Sequence, residues 1–250
     1  FGADVRPAGF PDFVRRLAEE VMRRINTAAA VGPVALAACA LLSTPRFAAT
    51  EEELCEFLGH LVALLAAWPR REQLLVPERA PSAILEWATP IARIRRVEHE
   101  WGDILTLAPR DATLLTYGRN TIQHLFVLPA LVASLFRTRG QLTVEAVLTG
   151  CRALSPFLRS EYFLPWEPAD SDHLAAQAIE LLVERGLLMR IDPTHLRRPP
   201  VSARGYAVLA GLGRLLGESL ERQAMVLLLL ARRGARASVV QREEFLADVR

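Results

Sequence analysis

Polar side chains at helical spacing interrupt an otherwise apolar segment near the middle of the chain. Thr116, Asn120 and His124 follow one another at intervals of four residues, with Arg119 and Gln123 beside them. Residues four apart lie on one face of an α-helix, so these side chains should form a polar stripe. A buried polar group without a partner costs about 1–3 kcal/mol. The stripe is therefore expected to contact another layer of protein or a ligand.

The chemistry available to this stripe is binding. No carboxylate stands at a spacing that would orient His124 as a general base, and no catalytic residue is predicted. Arg119 could bind phosphate with two hydrogen bonds, but a salt bridge to Glu161 or Asp103 is the favoured interpretation. His124 and Asn120 could contact substrate or a neighbouring domain, or form a satisfied buried network. The candidate binding residues are Arg119, Asn120 and His124.

A long helix must position these residues. It is predicted to begin after Asp111, whose carboxylate can cap the first turn, and to end near Phe136. Pro129 should kink it, because proline removes a helical hydrogen bond and its ring clashes with the preceding turn.

Composition restricts the class of protein. The chain has 250 residues, a formal net charge of +2 and 23% charged residues, close to the average for soluble proteins. Cys39, Cys55 and Cys151 are odd in number and widely spaced, so neither a disulfide framework nor a zinc site is predicted, and no cofactor is expected. The longest apolar runs fall short of the roughly 18–20 residues that span a bilayer.

Periodicity predicts a mainly α fold with two short β-hairpins. Caps such as Thr50 with Glu53, and Thr143, mark helix starts. At residues 94–107, and again at 187–196, the hydrophobic pattern changes from the period of a helix to that of a strand, which predicts the hairpins. The predicted helices cover residues 11–25, 33–42, 51–68, 81–91, 111–136, 143–151, 171–186 and 202–233.

The order helix, helix, hairpin, helix occurs twice, as in a winged-helix unit, so tandem winged-helix-like units are predicted. The Arg137–Gly140 turn divides the chain into helical subdomains at 11–138 and 139–250. Arginines that could bind nucleic-acid phosphates flank both hairpins: Arg93, Arg95 and Arg96, then Arg190, Arg197 and Arg198. Acidic neighbours of the first group favour a solvated face and no contact with nucleic acid.

The residues Leu-Leu-Thr-Tyr-x-Arg-Asn-x-x-x-His-Leu-Phe-x-Leu-Pro, at 114–129, resemble the C-terminal region of bacterial membrane-associated glycerol-3-phosphate acyltransferases of the PlsB type. Gly118 and Thr121 depart from the pattern, which usually has an aromatic residue and a second Asn there. Further similar stretches are collinear with the family and lie at Arg24–Val31, Ala40–Pro45, Gly102–Leu105, Pro156–Glu161 and Phe163–Trp166.

The resemblance implies an enzyme that moves an acyl group from acyl-CoA or acyl carrier protein to the 1-position of glycerol 3-phosphate, the first step of phospholipid synthesis. It also implies peripheral contact with the cytoplasmic face of the inner membrane. The amphipathic helix at 13–25, rich in arginine, is the best candidate for that contact, although its stripe could equally pack into the core.

The family's catalytic motif, His-x-x-x-x-Asp, does not occur in this chain, and its Glu-Gly-x-Arg-Ser type phosphate motif is missing as well. None of the five histidines is followed by Asp at the required distance. The resemblance therefore implies a non-catalytic C-terminal portion that braces the catalytic domain and the acyl channel. Residues 1–10 would end the preceding catalytic domain, and the isolated chain should be inactive. The alternative is a tandem winged-helix-like interaction or nucleic-acid-binding module.

Overall fold

A computed structural model describes residues 9–68, 71–100 and 102–232. The predicted end of a preceding domain at 1–10 lies almost wholly outside the described residues. The helices are α1 (Phe10–Thr27), α2 (Pro33–Leu42), α3 (Glu51–Ala66), α4 (Pro81–Ile91), α5 (Pro109–Ile122), α6 (Val127–Leu135), α7 (Val144–Tyr162), α8 (Ser171–Glu184), α9 (Arg204–Leu215) and α10 (Gly217–Arg232). The strands are β1 (Ala48–Thr50), β2 (Arg95–Val97), β3 (Ile104–Thr106), β4 (Gln141–Thr143), β5 (Met189–Arg190) and β6 (His195–Arg197).

The strands form two small antiparallel sheets, in the orders β1-β3-β2 and β4-β6-β5. Each sheet contains one predicted hairpin, so the mainly α class with two hairpins is confirmed. Each also has a third strand that the sequence did not reveal. Thr50 pairs with Ile104 in the first sheet, and Thr143 pairs with His195 in the second. These added strands are three residues long, which is too short for a period of two to be visible.

Each added strand runs directly into a helix whose start the sequence predicted. Thr50 accepts a hydrogen bond from the Glu53 amide, while the Glu53 carboxylate accepts one from the Thr50 amide, which completes the predicted capping box of α3. Thr143 caps α7 through the Ala146 amide. The helix starts thus fix where both β1 and β4 end.

The order helix, strand, helix, helix, strand, strand occurs twice, first from α2 to β3 and then from α6 to β6. It is the element order of a winged-helix unit. The second repeat begins at Val127, upstream of the division predicted at 138 and 139, and that division stays a prediction. Helices α1–α9 belong to one compact unit and α10 to a second.

The core of the larger unit has two centres. Helix α2 is buried along almost its whole length, as its uniformly small apolar sequence predicts, and packs against α3, α4 and α5. Helix α6 is buried likewise and packs against α7, α8 and α9. Gly213 allows α6 and α9 to approach closely, because a Cβ there would lie 3.1 Å from the Cα of Ser134.

The sequence predicts one long helix from Asp111 to Phe136, and this prediction is wrong in one respect, because the structure has two helices there. Helix α5 ends at Ile122, a 3-10 turn occupies residues 123–126, and α6 begins at Val127. The kink lies upstream of Pro129, since a proline disturbs the carbonyl four residues before it. The start is also earlier, at Pro109, and Asp111 makes no capping hydrogen bond.

Two other predicted features differ. The final helix is divided into α9 and α10 after Leu215. Helix α8 begins at Ser171, as predicted, but its N-cap is Asp170, which makes no side-chain capping bond, and the Ser171 hydroxyl lies 2.9 Å from that of Ser155. Its end agrees with the sequence, because Gly186 adopts a left-handed conformation with φ 69°.

Candidate functional site

The break after Ile122 separates the polar stripe into two parts. In a continuous helix, residues 116, 120 and 124 would share a face. Asn120 is exposed on α5, whereas His124 lies in the 3-10 turn and is 3% exposed. Thr116 is bound to its own helix, because its hydroxyl donates to the Thr113 carbonyl at 2.6 Å. The structure therefore brings Arg119 and Asn120 together and places His124 in different surroundings.

The side chains of Arg119 and Asn120 on α5 are hydrogen-bonded to each other. The Nε and Nη2 atoms of Arg119 both donate to the Oδ1 atom of Asn120, at 3.3 Å each. The guanidinium is almost buried, at 7% exposure, while the Asn120 side chain faces solvent. The buried fork holds the amide oxygen, and the Asn120 amide N–H groups are left to meet a partner at the surface. Asp103, one predicted partner of Arg119, is bound by Arg96 at 2.8 Å.

His124 connects the break to the end of α1. Its Nε2 atom lies 2.9 Å from the backbone oxygen of Asn26, and a carbonyl only accepts, so Nε2 carries the hydrogen. Burial lowers the pKa of His124, and the bond to the Asn26 carbonyl opposes this in part. The neutral imidazole is therefore favoured, and its partner is a backbone carbonyl. This arrangement holds α1 in place and provides no carboxylate of the kind a general base requires.

A buried polar network surrounds the break, and the sequence did not reveal the parts that Gln123 and Asn26 have in it. The Nε2 atom of Gln123 donates to the Tyr162 hydroxyl at 2.9 Å and to the Leu215 carbonyl. The Asn26 side chain donates to the Tyr162 carbonyl at 2.7 Å. The break between α5 and α6 is thus bonded to α1, α7 and α9. Only the polar character of Gln123 signalled this role, because its partners are 39 and 92 residues away.

An apolar groove lies beside the same break. It has a volume of about 590 Å³, within the range of small-molecule sites. Leu125, Leu128 and Pro129 from the break and α6 form one wall, and α8 supplies another through Leu174 and Leu181. Two tryptophans also line the groove, Trp68 and Trp166, in an edge-to-face contact with ring centroids 5.7 Å apart.

Helix α1 presents an uncovered apolar stripe, although its periodicity is that of a helix packed on a core. None of its residues is buried. The stripe side chains are between 37% and 57% exposed, and they are Phe10, Phe13, Val14, Leu17, Val21, Met22 and Ile25. Contacts at the end of α1 come from Asn26 and from Arg23, which pairs with Glu167 at 3.2 Å.

One arginine in the strands of each hairpin is paired with acidic side chains. Arg96 bridges Glu51 at 2.5 Å and Asp103 at 2.8 Å. In the second sheet, Arg190 pairs with Glu180. A nucleic-acid contact needs arginines that are free to meet phosphates, so Arg96 and Arg190 do not favour the nucleic-acid alternative.

Within the described part of the chain, no group of three or more His, Cys, Asp or Glu side chains could hold a metal ion. Cys39 and Cys151 are buried, and burial raises the pKa of each thiol to about 12. Thiolate chemistry at these two positions is therefore disfavoured at neutral pH.

Comparison with known proteins defines the class. A family profile described as "Glycerol-3-phosphate acyltransferase C-terminal region" matches residues 2–250. The chain therefore belongs to this family, and the resemblance seen in the sequence is confirmed.

Relatives with the name glycerol-3-phosphate acyltransferase are 36% identical in Pseudomonas paraeruginosa, 36% in Pseudomonas aeruginosa and 35% in Ectopseudomonas mendocina. Each match spans 248 residues and 99% of this chain, but only 30% of the length of the relative. Among the residues that the structure describes, no helix combines the length and the apolar character needed to cross a membrane.

Proposed function

We propose that this chain is the non-catalytic C-terminal part of a glycerol-3-phosphate 1-O-acyltransferase. In the intact protein, a separate catalytic domain transfers the acyl group from acyl-CoA or acyl carrier protein to glycerol 3-phosphate. The observation that carries the proposal is family membership over residues 2–250 in a chain without a His-x-x-x-x-Asp motif. The intact protein should transfer acyl groups to glycerol 3-phosphate, and the isolated chain should not. Turnover by the isolated chain, or none by the intact protein, would contradict the proposal.

Within that protein, this part braces the catalytic domain and forms part of the acyl channel wall. The groove beside the break supports this role, because an acyl chain gains free energy from apolar burial at about 0.8 kcal/mol per methylene. Its walls include Leu128 and Pro129, which belong to the segment that resembles the family. The tryptophan pair adds a rigid aromatic surface to the same groove.

Asn120 is the residue of the candidate site that is available to the catalytic domain or substrate. It is exposed, and the Arg119 fork fixes its orientation. Asn120→Ala should lower the activity of the intact enzyme while the helical fold melts normally. Arg119→Lys keeps the charge but loses the planar fork, so it should also lower activity.

Thr113→Ala is the matched control for Asn120→Ala, since Thr113 is exposed on the same helix and its hydroxyl bonds only within that helix, to the Pro109 carbonyl. Activities are compared at equal folded fractions. Wild-type activity in both Asn120→Ala and Arg119→Lys would show that the pair has no functional role.

The uncovered stripe of α1 supports peripheral contact with the cytoplasmic face of the inner membrane. Apolar side chains on the stripe would enter the headgroup region. Arg15 and Arg24 would lie near anionic lipid, because they stay exposed although they pair with Asp12 and Glu20. Leu17 is 52% exposed on this stripe, and Val201 is 67% exposed elsewhere. In the intact protein, Leu17→Asp should reduce binding to anionic vesicles by about tenfold or more. Val201→Asp should not, and equal binding of the two variants would count against α1.

A further inference from the structure

A small cavity lies beside Tyr206, between the end of α6 and helix α9. Arg137 and Arg214 line a cavity of about 220 Å³, together with Tyr206 and apolar residues of α6 and α9. Arg198 does not line the cavity, and its guanidinium lies 4.8 Å from the centroid of the Tyr206 ring. No carboxylate lines this cavity among the described residues.

Arg198 is held in place through its backbone and has unused donors. Its amide donates to the Gly140 carbonyl at 3.0 Å, which brings it to the turn that follows Arg137. Its Nε and Nη1 atoms are buried and have no hydrogen-bond partner among the described residues. Buried N–H groups without partners are costly, and those of a charged group are more costly still.

Arg214 is also constrained, and a like charge lies near it. Its Nη1 atom donates to the Ser43 carbonyl at 2.9 Å, which fixes the guanidinium at the cavity wall. Burial and then the nearby charge of Arg137 lower the pKa of Arg214. Arginine does not lose its proton in proteins, so the two like charges persist and repel each other. Arg214 and Tyr206 also line a neighbouring cavity that contains Glu53 and Glu56, and Glu53 is already bound by Thr50.

We propose that Arg137 and Arg214 form a binding site for a phosphate monoester dianion, to which Arg198 adds positive charge from its position on the Tyr206 ring. Such an anion would accept hydrogen bonds from the guanidinium groups of Arg137 and Arg214 and would offset the repulsion between them. The cavity has room for a phosphate group, and the phosphate could belong to a soluble molecule or to a lipid headgroup. This inference is independent of the acyltransferase proposal, because it concerns binding to residues of this chain alone.

The test is isothermal titration of the 250-residue chain with inorganic phosphate. Arg137→Gln should weaken phosphate binding by about tenfold or more, as expected when a charge-assisted hydrogen bond is lost. Arg137 is exposed, so this substitution should not disturb folding. Arg110→Gln removes the same charge from an exposed position on α5 and serves as the control that should bind phosphate normally.

Two further measurements distinguish specific phosphate binding from a nonspecific effect of charge. Without phosphate, Arg137→Gln should melt at the same or a higher temperature than wild type, because it relieves repulsion. Phosphate should slow hydrogen exchange in residues 204–214 of the wild type but not of Arg137→Gln. Equal phosphate affinity in the Arg137→Gln and Arg110→Gln variants, or no phosphate binding by the wild type, would overturn the proposal.

Binding to vesicles distinguishes a lipid headgroup from a soluble phosphate as the ligand. If the site takes a lipid headgroup, phosphatidic acid in phosphatidylcholine vesicles should retain the wild type and the Arg110→Gln variant, and should retain Arg137→Gln less. If inorganic phosphate binds and the vesicles retain all three proteins equally, the site takes a soluble phosphate. Both results support an anion site and assign its source.

Discussion

Gln123 offers a sharp test of the buried network at the break between α5 and α6. Its side chain is 5% exposed, and its amide nitrogen donates to the Tyr162 hydroxyl and the Leu215 carbonyl. Gln123→Glu keeps the shape but replaces this donor with an acceptor. The Tyr162 hydroxyl can rotate to donate to the new carboxylate, whereas the Leu215 carbonyl would face it without a hydrogen.

The expected loss of stability has two parts. An unsatisfied buried carbonyl costs about 1–3 kcal/mol. Burial of the carboxylate raises its pKa, and each unit of increase adds about 1.4 kcal/mol at neutral pH. Together these give a loss of about 2–5 kcal/mol at pH 7. Gln123→Met, which is similar in length and uncharged, should lose only the first part.

The difference in the free energy of unfolding between the Glu and Met variants must depend on pH. A carboxyl whose native pKa is raised costs little below its unfolded value of about 4.3. The cost grows as pH rises from there to the native value and is constant above it. Urea unfolding of wild type and both variants between about pH 4 and pH 8 measures the free energies of unfolding. If the Glu and Met variants differ equally at every pH, or neither is destabilised, the network assigned to Gln123 is incorrect.

Two further predictions concern glycine packing and a turn carboxylate. Gly213→Ala should destabilise the fold by about 1–3 kcal/mol, because its Cβ would meet the backbone of Ser134 at 3.1 Å. Gly118→Ala should instead stabilise helix α5 by about 0.5–1 kcal/mol, since its Cβ meets nothing closer than 3.9 Å; urea unfolding that gives both changes the same sign would refute this contrast. Hydrogen bonds from Thr194 lower the pKa of Asp192 to about 2, so its contribution to stability is present above about pH 3.8 and lost as pH falls through 2. Carboxyl NMR titration checks this value, and a midpoint near 3.8 would contradict it.

Features determined by neighbouring residues were predictable from the sequence. The Thr50 and Thr143 caps, the buried helix at 33–42 and the Gly186 helix end depend on chemistry within a few residues, and the structure contains all of them. The two hairpins were predictable for the same reason. Their third strands were not, because β1 and β4 are defined by partners far along the chain.

The candidate site shows where helical periodicity fails. The four-residue spacing that suggested one shared face holds only while the helix continues, and the chain leaves α-helical geometry between Ile122 and Val127. The sequence identifies Pro129 as the cause of a kink and predicts the kink at the proline itself. The ring of Pro129 is incompatible with a helical carbonyl at Leu125, four residues before it. The break therefore lies upstream of the proline, after Asn120. The single helix face inferred from the spacing is therefore absent, while the functional role of Arg119, Asn120 and His124 stays a prediction.

This regrouping changes how the site residues can act. Asn120 faces solvent and can contact a partner directly, whereas His124 is buried and bonds the end of α1 through Asn26. Asn26 in turn donates to the Tyr162 carbonyl, so the orientation of α1 depends on the polar network at the break. Because the apolar stripe of α1 is uncovered in this chain, the direction in which that stripe points determines which surface it can meet. His124 would therefore influence function through the position of α1, and Asn120 through its own contact.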